Sequence, residues 1–321
     1  MARLHTEICG VSFPSILMNA AGAKDVSLDD LRALGQSKAG AIVVKTATKA
    51  FRAGNDLPRW YVDDLGSVNS MGLPNLGYEA YAKAMRELKA YKKPVIVSVS
   101  GLKQGDNEEM ITAYDTAGVD MVEVNLSCPN LVGKGQLGYD FEASEKMLKS
   151  CRKQTKKPMG AKLPPYFDGF QYERMAKVLK RAKVDFIVTI NSVGNTLIVD
   201  AERERKVIAP NNGLGGLGGA YVKPISLANV HTFYQLTEGQ LPIIGVGGVQ
   251  DGIDAFEHLL AGATAVGIGT ALVNEGTDIF ERVGKELADM MERKRYRNPS
   301  EVRGKLQDLP GTPADSGAAS A

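Results

Sequence analysis

The 321-residue sequence predicts an α/β protein built as one (β/α)8 (TIM) barrel, and three observations support this fold class. Short apolar runs of strand length alternate with longer segments in which apolar residues recur every three or four positions. The apolar runs are continuous rather than alternating, as expected of strands that are covered on both faces. About eight strand–helix units are present, which is the number that closes a parallel barrel.

The predicted strands lie in the continuous apolar runs. In order, these runs are 16–20 (ILMNA), 41–45 (AIVVK), 94–99 (PVIVSV), 121–125 (MVEVN), 159–163 (MGAKL), 186–190 (FIVTI), 242–246 (PIIGV) and 265–269 (AVGIG). The segment TDIFERVGKELADMMERK exemplifies the helical pattern between them. Two stretches, 46–93 and 191–226, are longer than a βα connection needs, and we expect these loops to form a lid over an active site.

Composition bounds the class of protein. Hydrophobic residues make up 44% of the chain and charged residues 24%, and the net charge of +2 is evenly interspersed, so no nucleic-acid partner is expected. No segment predicts a secretory signal or a membrane span, and a cytoplasmic protein is expected. We predict a single domain over residues 1–308, followed by a small, polar and disordered tail over residues 309–321.

Small or polar residues end or directly follow nearly every predicted strand. These residues are Ala20, Ala21 and Gly22, then Lys45 and Thr46, Asn125, Lys162, Asn191 and Ser192, Gly247 and Gly248, and finally Gly269 and Thr270. In barrel enzymes the active site lies at the carboxyl ends of the strands, so these residues should converge on one pocket. This placement predicts an enzyme.

Two kinds of residue at these strand ends leave their chemistry open. The glycines of VGGVQDG and VGIGTAL bind a phosphate or merely permit tight turns, and their position after the last two strands favours phosphate. Lys45 and Lys162 each end an apolar strand, where a buried charge needs a partner. Three functions fit each lysine: it stabilises an anionic cofactor ring, it pairs with a substrate carboxylate, or it forms a Schiff base. The alternative without a function is a lysine that extends to solvent.

The amide side chains predict a flat substrate with carbonyl and N–H groups along its edges, because an amide both donates and accepts. They are Asn69, Asn125, Asn130 and Asn191.

The three cysteines are an odd number without metal-ligand spacing, so neither a disulfide framework nor a metal site is expected. Cys128 follows a strand by three residues, in a loop that should face the pocket, where its thiolate could remove a proton or attack an electrophile. Cys9 and Cys151 are interpreted as small buried apolar residues. The histidines lie in segments predicted on the outside or at the far end of the barrel, so a Cys–His pair is not favoured.

Eight segments together resemble the dihydroorotate dehydrogenases in order and spacing, from about residue 10 to residue 307. They are MNAAG, LGSVNSMGLPNLGY, VNLSCPN, KLPPYFD, INSVGN, GLGGLGGAYVKP, GVGG and GIGTAL. The cysteine of NLSCPN is similar to that of the soluble class of this family. KLPPYFD, GLGGLGG and GQLGYDFEA look like those of its homodimeric, fumarate-reducing type (class 1A).

The resemblance implies FMN as the cofactor, and thus an FMN-binding barrel. The implied FMN-binding residues are Ala20, Ala21, Gly22, Lys45, Thr46, Asn125, Lys162, Ile190, Gly219, Gly247, Gly248, Gly269 and Thr270. The implied residues of the pyrimidine pocket are Lys45, Asn69, Met71, Gly72, Leu73, Asn125, Asn130, Asn191 and Ser192.

The implied reaction converts dihydroorotate to orotate in pyrimidine biosynthesis. Cys128 would remove the C5 proton as catalytic base while C6 passes hydride to FMN, with Lys45 and Asn125 also in the catalytic group. Fumarate would then be reduced to succinate in the same pocket.

Two segments depart from the family pattern, and other functions stay open. LVGKGQLGYD stands where the family carries VPGKPQ, in a loop expected to help form the lid, and FRAGNDLPRWYVDD, a candidate dimer contact, differs in its second half. The alternatives are a flavin-dependent oxidoreductase for another dihydropyrimidine and a dihydroorotate dehydrogenase that uses NAD, quinone or oxygen. A Schiff-base lyase and an inactive binding barrel are further alternatives.

Overall fold

Short strands alternate with helices in this computed structural model, which describes residues 2–103, 105–127 and 135–310. The strands in chain order are β1 (Thr6–Ile8), β2 (Val11–Phe13), β3 (Leu17–Asn19), β4 (Ile42–Ala47), β5 (Trp60–Val62), β6 (Gly66–Asn69), β7 (Val95–Val99), β8 (Met121–Asn125), β9 (Met159–Lys162), β10 (Phe186–Thr189), β11 (Val193–Thr196), β12 (Val199–Asp200), β13 (Arg205–Lys206), β14 (Gly215–Gly219), β15 (Ile243–Val246) and β16 (Ala265–Ile268). The α-helices are α1 (Leu28–Gln36), α2 (Tyr78–Lys89), α3 (Asp106–Ala117), α4 (Phe141–Arg152), α5 (Gly169–Arg181), α6 (Lys223–Leu236), α7 (Gly252–Ala261), α8 (Thr270–Glu275) and α9 (Ile279–Arg293).

Eight parallel strands form the central sheet, in the order β3-β16-β15-β10-β9-β8-β7-β4. They are the eight strands predicted from the apolar runs, with ends within two residues of the prediction. The helices between them bury apolar stripes against the sheet, as α9 does with Ile279, Val283 and Leu287. The (β/α)8 prediction is therefore confirmed.

A side chain links the two strands at the ends of this sheet. Asn19, on β3, is buried, and its Nδ2 donates to the carbonyl of Val43 on β4 at 2.8 Å. Its Oδ1 accepts from the backbone N–H of Val43 at 2.9 Å. One amide thus takes the place of a pair of backbone hydrogen bonds and brings β3 against β4, which closes the ring.

The two long stretches outside the repeat are not irregular throughout. Strands β5 and β6 come from the first stretch and β11 and β14 from the second, and they form a four-stranded antiparallel sheet in the order β11-β14-β6-β5. Glycines make up most of β14, and they carry no side-chain pattern that predicts a strand. This second sheet forms because β14 pairs with β6, more than 140 residues earlier in the chain.

The prediction that Cys9 is buried is wrong, whereas Cys151 is buried as predicted. Cys9 and Gly10 form the two-residue turn between β1 and β2, and both have positive φ, 52° and 80°. Such a turn faces solvent, and Cys9 is exposed there.

Several expectations fall outside the described residues or stay untested. Cys128 and Asn130 lie outside them, as does the predicted tail from Gly311 onward, and the single-domain prediction is not tested. Among the helices of the described residues, none has the length and apolar character needed to cross a membrane.

Replacement of Asn19 by alanine should destabilise the barrel. The change leaves the buried N–H and C=O of Val43 without partners, so we expect the free energy of unfolding to fall by about 3 kcal/mol in urea titrations. Asn274→Ala, at an exposed position on α8, is the matched control and should change it by less than about 0.5 kcal/mol. Equal effects of the two substitutions would contradict the role of Asn19 in closing the ring.

Candidate active site

The residues that follow the barrel strands line one cleft, together with residues of the second sheet. Of the predicted site residues, the cleft is lined by Ala20, Ala21, Gly22, Lys45, Thr46, Asn69, Met71, Leu73, Asn125, Lys162, Ile190, Asn191, Ser192, Gly219, Gly247, Gly248, Gly269 and Thr270. The structure brings these residues together, and their individual roles stay predictions.

Of the other predicted site residues, one is described and lies outside this group, and two fall outside the described residues. Gly72 does not line the cleft, and its carbonyl accepts from the guanidinium of Arg52 at 3.3 Å. Cys128 and Asn130 are outside the described residues. The last described residue before them is Ser127, a fully buried residue whose carbonyl accepts from Nδ2 of Asn191.

Sequence reasoning missed several lining residues, four of them on the second sheet and most of the others near the ends of barrel strands. They are Ala23, Trp60, Ser67, Leu217, Gly218, Val222, Val246, Val249, Gln250, Ala271 and Val273. Ser67 alternates with Asn69 along β6, a spacing of two that could have marked it. Its hydroxyl is 2.9 Å from that of Thr270, so the second sheet is tied to the end of the barrel beside the predicted phosphate turn.

Two lysines supply positive charge deep in the cleft. Lys45 is 6% exposed and Lys162 3% exposed. Nζ of Lys162 donates to the carbonyl of Ala21 at 3.0 Å. A Cβ at Gly22 would lie 3.3 Å from Nζ of Lys45, so a glycine there leaves the space beside this ammonium open to a ligand. Extension of the lysines to bulk solvent is excluded by their burial.

Asp25 places a buried carboxyl group near these lysines. It is fully buried, and its Oδ2 accepts from the N–H of Gly22 at 2.6 Å. Within the described part of the chain its Oδ1 has no hydrogen-bond partner. Burial raises the pKa of Asp25 to about 6, although the charges of Lys45 and Lys162 and the Gly22 N–H oppose the shift. The group therefore titrates near neutral pH.

The first of the two predicted phosphate turns, Gly247–Gly248, lies at the end of β15. Gly248 has φ of 76°, and a Cβ there would lie 2.3 Å from Cβ of Lys223, so only glycine fits. The ammonium of Lys223 is itself paired with Asp254 at 2.7 Å and with Glu257 at 2.9 Å. The turn consequently offers its backbone to an anion, and the nearby lysine is engaged elsewhere.

The amide side chains of the cleft are held in fixed orientations. Nδ2 of Asn125 donates to Oγ1 of Thr46 at 3.2 Å, and its Oδ1 accepts from the N–H of Ser127 at 3.0 Å. Asn69 donates to the carbonyl of Gly216 at 3.1 Å. Oδ1 of Asn191 accepts from its neighbour's N–H at 2.9 Å. Amides held in this way can recognise a flat ligand at little entropic cost.

Comparison with known proteins gives a consistent result. The sequence profile of the family described as dihydroorotate dehydrogenase matches residues 3–291. The chain is 45% identical over 311 residues to dihydroorotate dehydrogenase A (fumarate) of Lactococcus lactis subsp. lactis, which covers 95% of the chain and 100% of that protein. It is 43% identical over 310 residues to dihydroorotate dehydrogenase (fumarate) of Kluyveromyces lactis, and the match covers 95% of the chain and 98% of that protein.

Asp25 should make the stability of the protein depend on pH. Because its pKa is raised on folding, its contribution to stability is fully present below about pH 4 and is lost as the pH rises through about 6. Asp25→Asn keeps an acceptor for the Gly22 N–H and removes the charge. Relative to the unchanged protein, the variant should gain about 2 kcal/mol of unfolding free energy between pH 4 and pH 8. A difference that is the same at both pH values would contradict this assignment.

Proposed function

The chain belongs to the dihydroorotate dehydrogenase family, and we propose that it oxidises dihydroorotate to orotate with FMN as cofactor and fumarate as electron acceptor. The observation that carries the proposal is one cleft in which two buried lysines face oriented amides and a glycine turn. The lysines suit anionic groups, the amides suit the edges of a pyrimidine, and the turn suits a phosphate.

The residues of the cleft fit FMN. The side chains of Ala20 and Ala21 are small, and a Cβ at Gly269 would have only Cβ of Ala20 nearby, at 3.9 Å, so this wall can receive a flat ring. Lys162 would stabilise negative charge on the ring, with Thr46, Asn125 and Ile190 beside it. The phosphate would lie among Gly219, Gly247, Gly248, Gly269 and Thr270. When bound, FMN would supply an acceptor for the hydride from C6 of dihydroorotate and a donor of hydride to fumarate.

The substrate would lie between the lysines and the amides. Its carboxylate pairs with Lys45, and its ring edges meet Asn69, Asn125, Asn191 and Ser192. Met71 and Leu73 supply apolar contact. Cys128 takes the C5 proton, and Asn130 completes the pocket; both are proposed from the sequence.

The charges of the cleft favour this substrate over the alternatives. A dihydropyrimidine without a carboxylate would leave the buried Lys45 ammonium without an anion on the substrate side of the cleft. A Schiff-base lyase needs an amine that is available to attack a carbonyl, whereas Nζ of Lys162 donates to the Ala21 carbonyl at 3.0 Å and lies near the buried carboxyl groups of Asp25 and Glu123. An inactive barrel would have no need to keep either lysine buried.

Fumarate fits the pocket that fits orotate. Both molecules are planar, and both contain a carboxylate joined through a carbon–carbon double bond to a second carbonyl group. Lys45 and the same amides can therefore bind either one, which requires that they bind in turn. The names of the two relatives given above also state fumarate.

We also propose that the protein is a cytoplasmic homodimer. Phe51 and Leu57, in the segment predicted to contribute to the dimer contact, are 66% and 77% exposed. These side chains support the proposal only as part of a larger apolar patch, since a contiguous patch is what marks a partner surface.

The visible spectrum of the purified protein tests the proposal. Under anaerobic conditions, dihydroorotate should bleach a flavin band, and fumarate should restore it. A band that bleaches but does not return with fumarate would contradict the acceptor. The absence of a flavin band after incubation with FMN would contradict the cofactor and favour the lysine-based alternatives.

Replacement of Cys128 by serine tests the catalytic base. At neutral pH a serine hydroxyl is a far weaker base than a thiolate, so flavin reduction by dihydroorotate should slow by about 10²–10⁴-fold while the FMN content is unchanged. Cys9→Ser, at an exposed turn far from the cleft, is the matched control. Reduction at the normal rate in the Cys128→Ser variant would show that another group is the base.

A further inference from the structure

A chain of hydrogen bonds runs from the cleft into the barrel interior. Nδ2 of Asn125 donates to Oγ1 of Thr46 at 3.2 Å, and that hydroxyl is 2.8 Å from Oγ of Ser98. Ser98 in turn donates to Oε1 of Glu123 at 2.6 Å. Thr46 and Glu123 are each 2% exposed, and Ser98 is fully buried. The chain thus ends on a carboxyl group that solvent does not reach.

The carboxylate sets the direction of every bond in this chain. Ser98 gives its hydroxyl hydrogen to Oε1 of Glu123, which accepts it. The single hydroxyl hydrogen of Ser98 is then used, so Thr46 must donate to Ser98. The hydrogen of Thr46 is used in the same way, and Thr46 can only accept from Asn125. The amide nitrogen must therefore face Thr46.

Contacts at the other end of the amide agree with this direction. Oδ1 of Asn125 accepts from the backbone N–H of Ser127 at 3.0 Å, which places the oxygen on the side away from Thr46. If the Asn125 amide were rotated by half a turn, its oxygen would face the Thr46 hydroxyl, whose hydrogen is already donated to Ser98. Its nitrogen would face the backbone N–H of Ser127, and neither pair could form a hydrogen bond. Both ends of the chain thus specify the same orientation.

We infer that Glu123 is a positioning residue that fixes the orientation of the Asn125 carboxamide through Ser98 and Thr46. The inference goes beyond the proposed function and rests on it in one respect: it takes Asn125 to contact the bound pyrimidine. Glu123 itself touches neither substrate nor cofactor. Its effect is that the cleft always presents the Asn125 donor and acceptor on the same sides.

The charges around Glu123 are consistent with its role as an acceptor. Burial raises the pKa of Glu123, and the Lys162 ammonium and the Ser98 hydroxyl oppose this shift. Ser98 belongs to β7 and Lys162 to β9, the two strands that flank β8, so the carboxylate is supported from both sides. Lys162 consequently acts both on the cleft and on the group that orders it.

The first test observes the amide directly and needs no substrate. In protein labelled with ¹⁵N-asparagine, the side-chain signals of Asn125 are identified by their loss in Asn125→Ala. Ser98→Ala, which interrupts the series of hydrogen bonds, and Glu123→Met, which removes the final acceptor at similar side-chain size, should both shift these signals. The Asn19 amide, bonded to Val43 elsewhere in the barrel, should not move. Ser98→Thr keeps the hydroxyl and should restore the Asn125 signals. Unchanged signals in Ser98→Ala would overturn the inference.

The second test is a double-mutant cycle on the affinity for orotate. Ser98→Ala should weaken orotate binding about tenfold, since an amide free to rotate loses one oriented hydrogen bond. In the Asn125→Ala background the same change should cost less than about twofold, because the amide through which Ser98 acts is gone. Equal losses in both backgrounds would show that Ser98 acts independently of Asn125 and would overturn the inference.

A matched control separates local orientation from general destabilisation. Ser37→Ala removes a hydroxyl that bonds to Leu34 and Ala39 between α1 and β4, at the amino end of the barrel. It should leave orotate affinity unchanged; a tenfold loss there would attribute the Ser98 effect to stability and overturn the inference. If the unchanged protein binds no orotate, the proposed function fails, and the signals of Asn125 still decide the inference.

Discussion

Burial of two ammonium groups at the ends of apolar strands is the constraint on which the cleft depends. Lys45 and Lys162 are almost inaccessible to solvent, and a desolvated cation is stable only among acceptors and anions. The protein supplies the Ala21 carbonyl and the carboxyl groups of Asp25 and Glu123. The two lysines line the cleft and the two carboxyl groups do not, so the positive charge is the one that the cleft presents to a ligand. An anionic ligand in the cleft then pairs with the ammonium groups of Lys45 and Lys162 on the side that the protein leaves open.

The barrel makes this arrangement possible because it brings short strands into one ring. Its strands are three to six residues long, and all of them except β7 carry cleft-lining residues at or just beyond the carboxyl end. Lys162 and Glu123 lie on adjacent strands, and so do Thr46 and Ser98. Closure through Asn19 brings the wall formed by Ala20, Ala21 and Gly22 beside the strand that ends near Lys45. Without that closure, residues 20–22 would lie at the opposite edge of an open sheet from Lys45.

The barrel could be predicted from the sequence because each strand is a continuous apolar run, and the cleft could be predicted because residues after parallel strands meet on one rim. The rest depends on contacts that no local pattern records. Trp60 and Ser67 reach the cleft only because β6 pairs with β14. Asp25 lies in the polar segment AKDVSLDD, whose composition resembles an exposed loop, and its burial follows from the fold around it. Residue type alone predicts that Cys9 is buried, whereas its place in the hairpin turn exposes it to solvent.

Hydrogen bonds with a defined direction carry the influence of a buried charge to a neutral side chain. A neutral amide offers a donor and an acceptor of similar size, and packing alone distinguishes them poorly. Hydroxyl groups have one hydrogen each, so a chain of them transmits the choice made at its charged end without any movement of the backbone. In this protein the charge lies on β8 and the amide it orders lies two residues further along the same strand. The proposed alternation of orotate and fumarate requires such an arrangement, because two ligands that share a carboxylate–alkene–carbonyl pattern can use one pocket only if its polarity stays constant.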